Sequence, residues 1–160
     1  MIEGRNVTDG ALSWCAWGAA AGHDDDQPDG QIAAATVAMI ERLGDRPWFI
    51  GCGFMKPHDP FIAPKEYFDR YPAESLKIWR DPQNLSPAPA QAVGFGGLGA
   101  AFGKFTDQEG RELLRAYCAG TSFMDAQLGR VLDVLDKNKL WDKTLVIFVG
   151  DNGYHTGERK

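Results

Sequence analysis

Residues 144–153 read Thr-Leu-Val-Ile-Phe-Val-Gly-Asp-Asn-Gly, an apolar run rich in β-branched side chains that stops at a polar turn. Such a run, bounded by turn residues, is typical of a strand buried on both faces of a parallel sheet. Residues 47–54, Pro-Trp-Phe-Ile-Gly-Cys-Gly-Phe, form a second run of this kind. We therefore expect these two segments to be the central strands of the fold.

A helix is expected before each of these strands. Apolar side chains recur at helical spacing over residues 32–43, and Asp29 is the expected N-cap of that helix. Farther along, Thr106 and Glu109 form a capping-box signature, and an apolar stripe continues over residues 114–135. The order helix, strand, loop, helix, strand predicts an α/β layered domain.

The segment between the first predicted strand and the second predicted helix, residues 56–104, is rich in proline and glycine. We expect it to be a loop apart from a short helix near residues 64–71. A loop of this length inside a compact domain is unusual and often functional.

Composition and charge exclude several classes of protein. The net charge is -5 and no basic run occurs, so no nucleic-acid partner is expected. The apolar stretches are far shorter than the roughly 18 residues of a membrane span, so no membrane partner is expected either. Cys15, Cys52 and Cys118 are an odd number without a Cys-x-x-Cys pair, which indicates no complete disulfide framework. The cellular compartment and the oligomeric state stay open.

Polar clusters directly follow both predicted strands. The first cluster, residues 56–60, reads Lys-Pro-His-Asp-Pro, and the second begins with Asp151 and Asn152. In open α/β sheets, ligands bind beyond the carboxyl ends of the strands, so parallel strands would open both clusters into one crevice. Asp151 and Asn152 offer hard oxygen donors suited to Ca²⁺ or Mg²⁺. His58 suits an anionic oxygen or proton transfer, and Lys56 suits an anion contact.

Each of these residues also has a simpler interpretation. Asp-Asn-Gly is a common turn sequence, His58 fits a loop histidine bonded to a carbonyl, and Lys56 fits a solvated lysine. The acidic run at residues 24–26 is expected to be a solvated turn rather than a metal site, because three consecutive side chains cannot converge without a special backbone. The residues alone leave these alternatives open.

Three segments together resemble one enzyme family. Residues 56–61, Lys-Pro-His-Asp-Pro-Phe, resemble the Lys-Pro-His-x-Pro segment of sulfatases of the iduronate-2-sulfatase-like group. Residues 122–130 resemble the helix that these enzymes place before their last metal-binding strand. Residues 146–158 resemble that strand and its metal loop. The resemblance covers nearly the whole chain with the segments in the right order.

This resemblance implies a sulfuric ester hydrolase with an alkaline-phosphatase-like α/β fold, present here as a partial doubly wound sheet with flanking helices. In that family a formylglycine made from cysteine or serine attacks sulfur, and a divalent cation, usually Ca²⁺, neutralises the sulfate oxygens. By similarity, Asp151 and Asn152 are the expected metal ligands, although many relatives have histidine at the second position. His58 is expected to hold the sulfate or assist the leaving oxygen. The implied substrate is a small-molecule or saccharide sulfate ester.

The formylglycine signature, Cys or Ser followed two residues later by Pro or Ala and four later by Arg, does not occur in this sequence. The paired aspartates that the family places on an early strand do not occur either. We therefore expect residues 1–160 to be the central part of a sulfatase catalytic domain, truncated at both ends and inactive alone. Two alternatives remain: a phosphodiesterase or phosphonate hydrolase of the same superfamily, and a non-catalytic binding module.

Overall fold

The computed structural model describes residues 1–8, 10, 13, 16–78, 105–154 and 156. Its strands and helices follow in chain order: β1 (Glu3–Asn6), β2 (Ala16–Ala20), α1 (Pro28–Leu43), β3 (Phe61–Pro64), α2 (Lys65–Asp69) and α3 (Asp107–Lys137). Short 3₁₀ turns lie at Asp24–Asp26, Ala73–Ser75 and Trp141–Lys143. None of the described helices is long and apolar enough to cross a membrane.

The three strands form one mixed sheet in the order β1-β2-β3. β1 pairs antiparallel with β2, with Glu3 opposite Ala19, and β2 pairs parallel with β3, with Trp17 opposite Phe61. A parallel pair needs a crossover connection, and α1 lies within the connection from β2 to β3. The predicted α/β class is therefore confirmed to the extent of a small mixed sheet packed with helices.

Both predicted long helices are confirmed. α3 begins with the expected capping box, in which Thr106 N donates to Glu109 Oε2 at 2.7 Å and Glu109 N donates to Thr106 Oγ1 at 3.3 Å. The prediction that Asp29 is the N-cap of α1 is wrong, because Gln27 occupies that position. Pro28 fits the first helical residue, where no amide donor is needed. Asp29 consequently lies inside the first turn, and its carboxylate is available to another segment.

Two apolar clusters hold these elements together. The larger lies between the sheet, α2 and α3, and includes the fully buried Phe68, Leu113 and Phe123. Burying a side chain of this size contributes about 1.5–3 kcal/mol. The smaller cluster joins α1 to the end of α3 around Ile40 and Leu135. The long helix α3 therefore packs against α1, α2, β2 and β3.

The two central strands expected from the sequence are wrong for this structure, because neither residues 47–54 nor residues 144–150 form a strand. Their large side chains are not buried either: Phe49 is 97% exposed and Ile147 is 73% exposed. A strand requires a hydrogen-bonded neighbour, and in the described part of the chain the sheet is built from other segments. A high β-propensity does not by itself make a segment a strand, since the propensity reflects packing against cross-strand neighbours.

The expected loop of residues 56–104 is partly structured. The predicted short helix is present as α2, and the strand β3 directly before it was not expected. β3 has only four residues, Phe-Ile-Ala-Pro, which are too few to show a period of two. The remainder of this predicted loop, residues 79–104, lies outside the described residues.

Candidate active site

The Lys-Pro-His segment forms a closed turn directly before β3. His58 N donates to Met55 O at 2.9 Å. The Lys56 ammonium donates to the carbonyl oxygens of His58 and Pro60, at 2.9 and 2.7 Å. Both X-Pro peptide bonds of this segment are cis. Because these hydrogen bonds connect the two ends of the turn, the backbone of His58 is held by its own loop.

The Lys56 side chain lies partly inside this turn. Burial lowers the pKa of its ammonium, although the negative charges of Asp29 and Asp59 oppose the shift. An ammonium carries three N–H donors, and the two carbonyl oxygens use two of them. The third N–H has no partner among the described residues, so Lys56 can still offer one donor to an anion.

The imidazole of His58 is bound on one side and exposed on the other. Its Nδ1 lies 2.9 Å from the Asp59 carbonyl oxygen and 3.2 Å from Asp59 Oδ1. Because a carbonyl oxygen only accepts, this contact favours the tautomer with the proton on Nδ1. Nε2 is then the acceptor, and the side chain is 66% exposed. His58 can therefore take a proton from a bound molecule, or donate one when it is itself protonated.

Tyr154 joins the second polar segment to the first. Its hydroxyl donates to Asp59 Oδ1 at 2.7 Å, and its ring meets those of His58 and Phe61 edge-on, with centroids 6.3 and 5.6 Å away. Burial and the bond to the Asp59 carboxylate raise the pKa of Tyr154 to about 12. The hydroxyl therefore keeps its proton near neutral pH and remains a donor. This side chain places the end of the second polar segment beside the His58 loop.

One cleft of about 1460 Å³ is lined by both polar segments. Residues 44–58 and residues 143–154 contribute to its wall, together with side chains of α1 and α3. All four residues that the sequence singles out for a site are among the lining residues: Lys56, His58, Asp151 and Asn152. All four groups therefore lie along the wall of one cleft.

Asp151 and Asn152 are exposed at this cleft. A carboxylate and an amide oxygen are hard donors of the kind that Ca²⁺ and Mg²⁺ bind. Ca²⁺ takes roughly six to eight oxygen ligands, and within the described ranges no group of three or more His, Cys, Asp or Glu residues could hold a metal ion. The pair therefore fits a divalent cation only as part of a larger ligand set.

The acidic run at Asp24–Asp26 is occupied by structural contacts. Asp24 Oδ2 accepts from the Tyr67 hydroxyl at 2.8 Å, and Asp25 Oδ1 accepts from Arg130 at 2.7 Å. The third carboxylate accepts the backbone amide at the start of the turn. The three side chains diverge to separate partners, as expected for a turn, but Asp24 is half-buried rather than solvated.

Three residues of the candidate site were given no role there from the sequence. Asp29 is only 1% exposed, and its two carboxylate oxygens accept the backbone amides of Met55 and Lys56, each at 2.9 Å. Asp59 and Tyr154 form the contact between the two loops across 95 positions of sequence. Local sequence carries no signal for such long-range bonds. Tyr154 does lie within residues 146–158, the segment that resembles the strand and metal loop of the enzyme family named above.

Comparisons with known proteins identify related sequences. A family model described as Sulfatase matches residues 8–160. The chain is 29% identical over 160 residues to a protein named Sulfatase from Formosa agariphila, which covers 98% of this chain and 30% of that relative. It is 29% identical over 145 residues to the Iduronate 2-sulfatase of Homo sapiens, covering 82% of this chain and 26% of the relative.

A third relative is the Choline-sulfatase of Rhizobium meliloti, which is 31% identical over 137 residues, covering 80% of this chain and 26% of the relative. The chain thus spans less than a third of the length of each of these three relatives.

Proposed function

Because the chain belongs to the sulfatase family, we propose that it supplies the cation-binding and sulfate-binding part of a sulfuric ester hydrolase. The observation that carries the proposal is the shared cleft, which Lys56, His58, Asp151 and Asn152 all line. The names of the relatives support a sulfate ester substrate, either a small molecule or a saccharide.

Asp151 and Asn152 would hold a divalent cation, with Ca²⁺ as the first candidate, because both side chains offer hard oxygen donors at the cleft. When bound, such a cation neutralises negative charge on the sulfate oxygens. Two ligands are too few for Ca²⁺, so water, backbone carbonyls or residues outside the described ranges would complete the ligand set. Removing the Asp151 carboxylate would discard both charge and geometry from the ligand set.

His58 would act through Nε2, the ring nitrogen that the Asp59 contacts leave available. In the protonated form it can donate to a sulfate oxygen or to the leaving alcohol oxygen, and in the neutral form it can accept a proton. Lys56 would direct its remaining N–H toward the same anion. Both residues belong to one turn, so their donors would reach a single substrate group together.

We further propose that residues 1–160 form the central part of a sulfatase catalytic domain with a doubly wound, alkaline-phosphatase-like sheet. The formylglycine signature does not occur in these residues, so the attacking oxygen is proposed to come from a formylglycine elsewhere in a longer polypeptide. We refer to this longer polypeptide as the complete enzyme.

The test is His58→Ala in the complete enzyme, assayed with 4-nitrophenyl sulfate. Loss of a positioned proton donor or acceptor should lower kcat about 10²–10⁴-fold. Folding should survive, because the side chain is 66% exposed. The matched control is His23→Ala, which removes an exposed histidine that does not line the cleft. An unchanged kcat, or loss of the thermal transition in His58→Ala alone, would contradict the proposed role.

A further inference from the structure

Asp29 is a buried carboxylate whose two oxygens are both committed to one neighbouring segment. It lies in the first turn of α1, where the positive end of the helix dipole favours negative charge. Its Oδ1 accepts from Met55 N and its Oδ2 accepts from Lys56 N, each at 2.9 Å. A carboxylate that is 1% exposed is costly to bury without such partners. The bidentate contact is therefore a strong attachment of this segment to α1.

The attached amides are the first link in a continuous set of bonds that ends at His58. Met55, held through its amide, accepts from His58 N at 2.9 Å. Lys56, also held through its amide, donates from its ammonium to the His58 carbonyl at 2.9 Å. The backbone of His58 is thus bonded to both of the residues that Asp29 holds. A displacement at Met55 and Lys56 would be passed directly to the imidazole.

Asp29 itself is not among the residues that line the cleft, so it does not touch a molecule bound there. The packing of α1 rests on other side chains, such as Ala33 and Ile40, which are 0% and 3% exposed. Its negative charge also favours the charged form of the partly buried Lys56 ammonium, against the effect of burial. These contacts give Asp29 a role in the geometry and charge of the loop rather than in the core.

We propose that Asp29 is a positioning residue, whose carboxylate holds the Met55–Lys56 backbone so that His58 and Lys56 face the substrate in the cleft. This inference rests on the proposed sulfatase function. It adds a residue on α1, outside the two loops, to the set that determines activity.

The experiment compares Asp29→Asn with wild type in the complete enzyme. An amide side chain has one acceptor oxygen, so one of the two backbone amides loses its partner and the negative charge disappears. The kcat on 4-nitrophenyl sulfate should fall about 10–100-fold, the effect of a small misplacement of a reacting group. KM should rise by a smaller factor than kcat falls, because Lys56 also contacts the sulfate group in the proposed site. Hydrogen exchange at the amides of Met55 and Lys56 should become faster.

Two controls separate positioning from general destabilisation. Tyr67→Phe removes another partly buried hydrogen bond, from the Tyr67 hydroxyl to Asp24 at 2.8 Å, at a residue outside the cleft. It should leave kcat unchanged even where it lowers the thermal midpoint. In a His58→Ala background, Asp29→Asn should lower kcat much less than it does in wild type, because its effect passes through His58.

Unchanged amide exchange or unchanged kcat in Asp29→Asn would overturn the proposal, and so would a full additive loss in the His58→Ala background. If Asp29→Asn does not fold, Asp29→Glu replaces it, since the longer side chain keeps the charge and displaces the oxygens by one methylene group. Its kcat should fall, and an unchanged kcat overturns the proposal. The exchange measurement does not depend on sulfatase activity, so failure of the proposed function would be seen separately, as a wild-type enzyme that does not hydrolyse 4-nitrophenyl sulfate or as a His58→Ala variant with unchanged kcat.

Discussion

Replacing Tyr154 with phenylalanine removes the hydroxyl that donates to Asp59 Oδ1 at 2.7 Å and joins the second polar segment to the His58 loop. Hydrogen bonds to charged groups contribute about 1.5–3 kcal/mol. The Asp59 side chain is 19% exposed and its Oδ1 lies 3.2 Å from His58 Nδ1, so water and His58 would compensate for part of the loss. We therefore expect Tyr154→Phe to lower the free energy of unfolding by about 1–2 kcal/mol, at or just below the low end of that range.

The assay is urea unfolding of four forms of the complete enzyme: wild type, Tyr154→Phe, Asp59→Asn and the double variant. The two changes should be coupled by about 1 kcal/mol, because Tyr154→Phe removes the donor, whereas Asp59→Asn replaces the charged acceptor with a neutral amide oxygen that accepts a weaker bond. Tyr71→Phe is the matched control, since its hydroxyl bonds Ser122 at 2.6 Å and should behave additively with Asp59→Asn. If Tyr154→Phe and Asp59→Asn are additive within about 0.5 kcal/mol, the bond does not hold the two loops together.

Two further predictions follow from the proposed function. Asp151→Ala in the complete enzyme should lose both bound Ca²⁺, measured by elemental analysis, and sulfatase activity; near wild-type turnover with unchanged metal content would contradict the ligand assignment. The 160 residues alone should hydrolyse no sulfate ester and should aggregate rather than melt cooperatively, because no formylglycine signature occurs and Phe49, Ile147 and Val149 are 97%, 73% and 77% exposed. Aryl-sulfate turnover above that of buffer would refute the predicted inactivity. A sharp two-state urea transition would refute the predicted aggregation.

The sequence predicted the helices well, because their signals are local. The capping box at Thr106 and Glu109 fixed the start of α3, and helical spacing over residues 32–43 located α1. The strands were predicted poorly, since a strand depends on a neighbouring strand that is often far away in the sequence. β2, Ala-Trp-Gly-Ala-Ala, is a strand despite its weak propensity, because it pairs on both sides. Residues 144–150 have the stronger β-propensity and no such pairing.

The polar side chains of the candidate site could be predicted from the sequence, but the residues that hold the His58 loop in place could not. Lys56, His58, Asp151 and Asn152 stand in short motifs, and all of them line the cleft. Asp29 could not be assigned from the sequence, because its contact with the Lys56 amide spans 27 positions and depends on how α1 packs. An aspartate near the start of a helix is normally interpreted as an N-cap. Only the folded structure shows that the Asp29 carboxylate instead accepts the amides of Met55 and Lys56.

The preference of the complete enzyme between a sulfate ester and a phosphate diester tests the proposed sulfatase function most directly. The measurement is kcat/KM for 4-nitrophenyl sulfate against bis(4-nitrophenyl) phosphate, with Ca²⁺ present and with His58→Ala in parallel. We expect the sulfate ester to have the higher kcat/KM and its turnover to depend on His58. A higher kcat/KM for the phosphodiester, or sulfate ester turnover that does not depend on His58, would contradict the proposed sulfatase function.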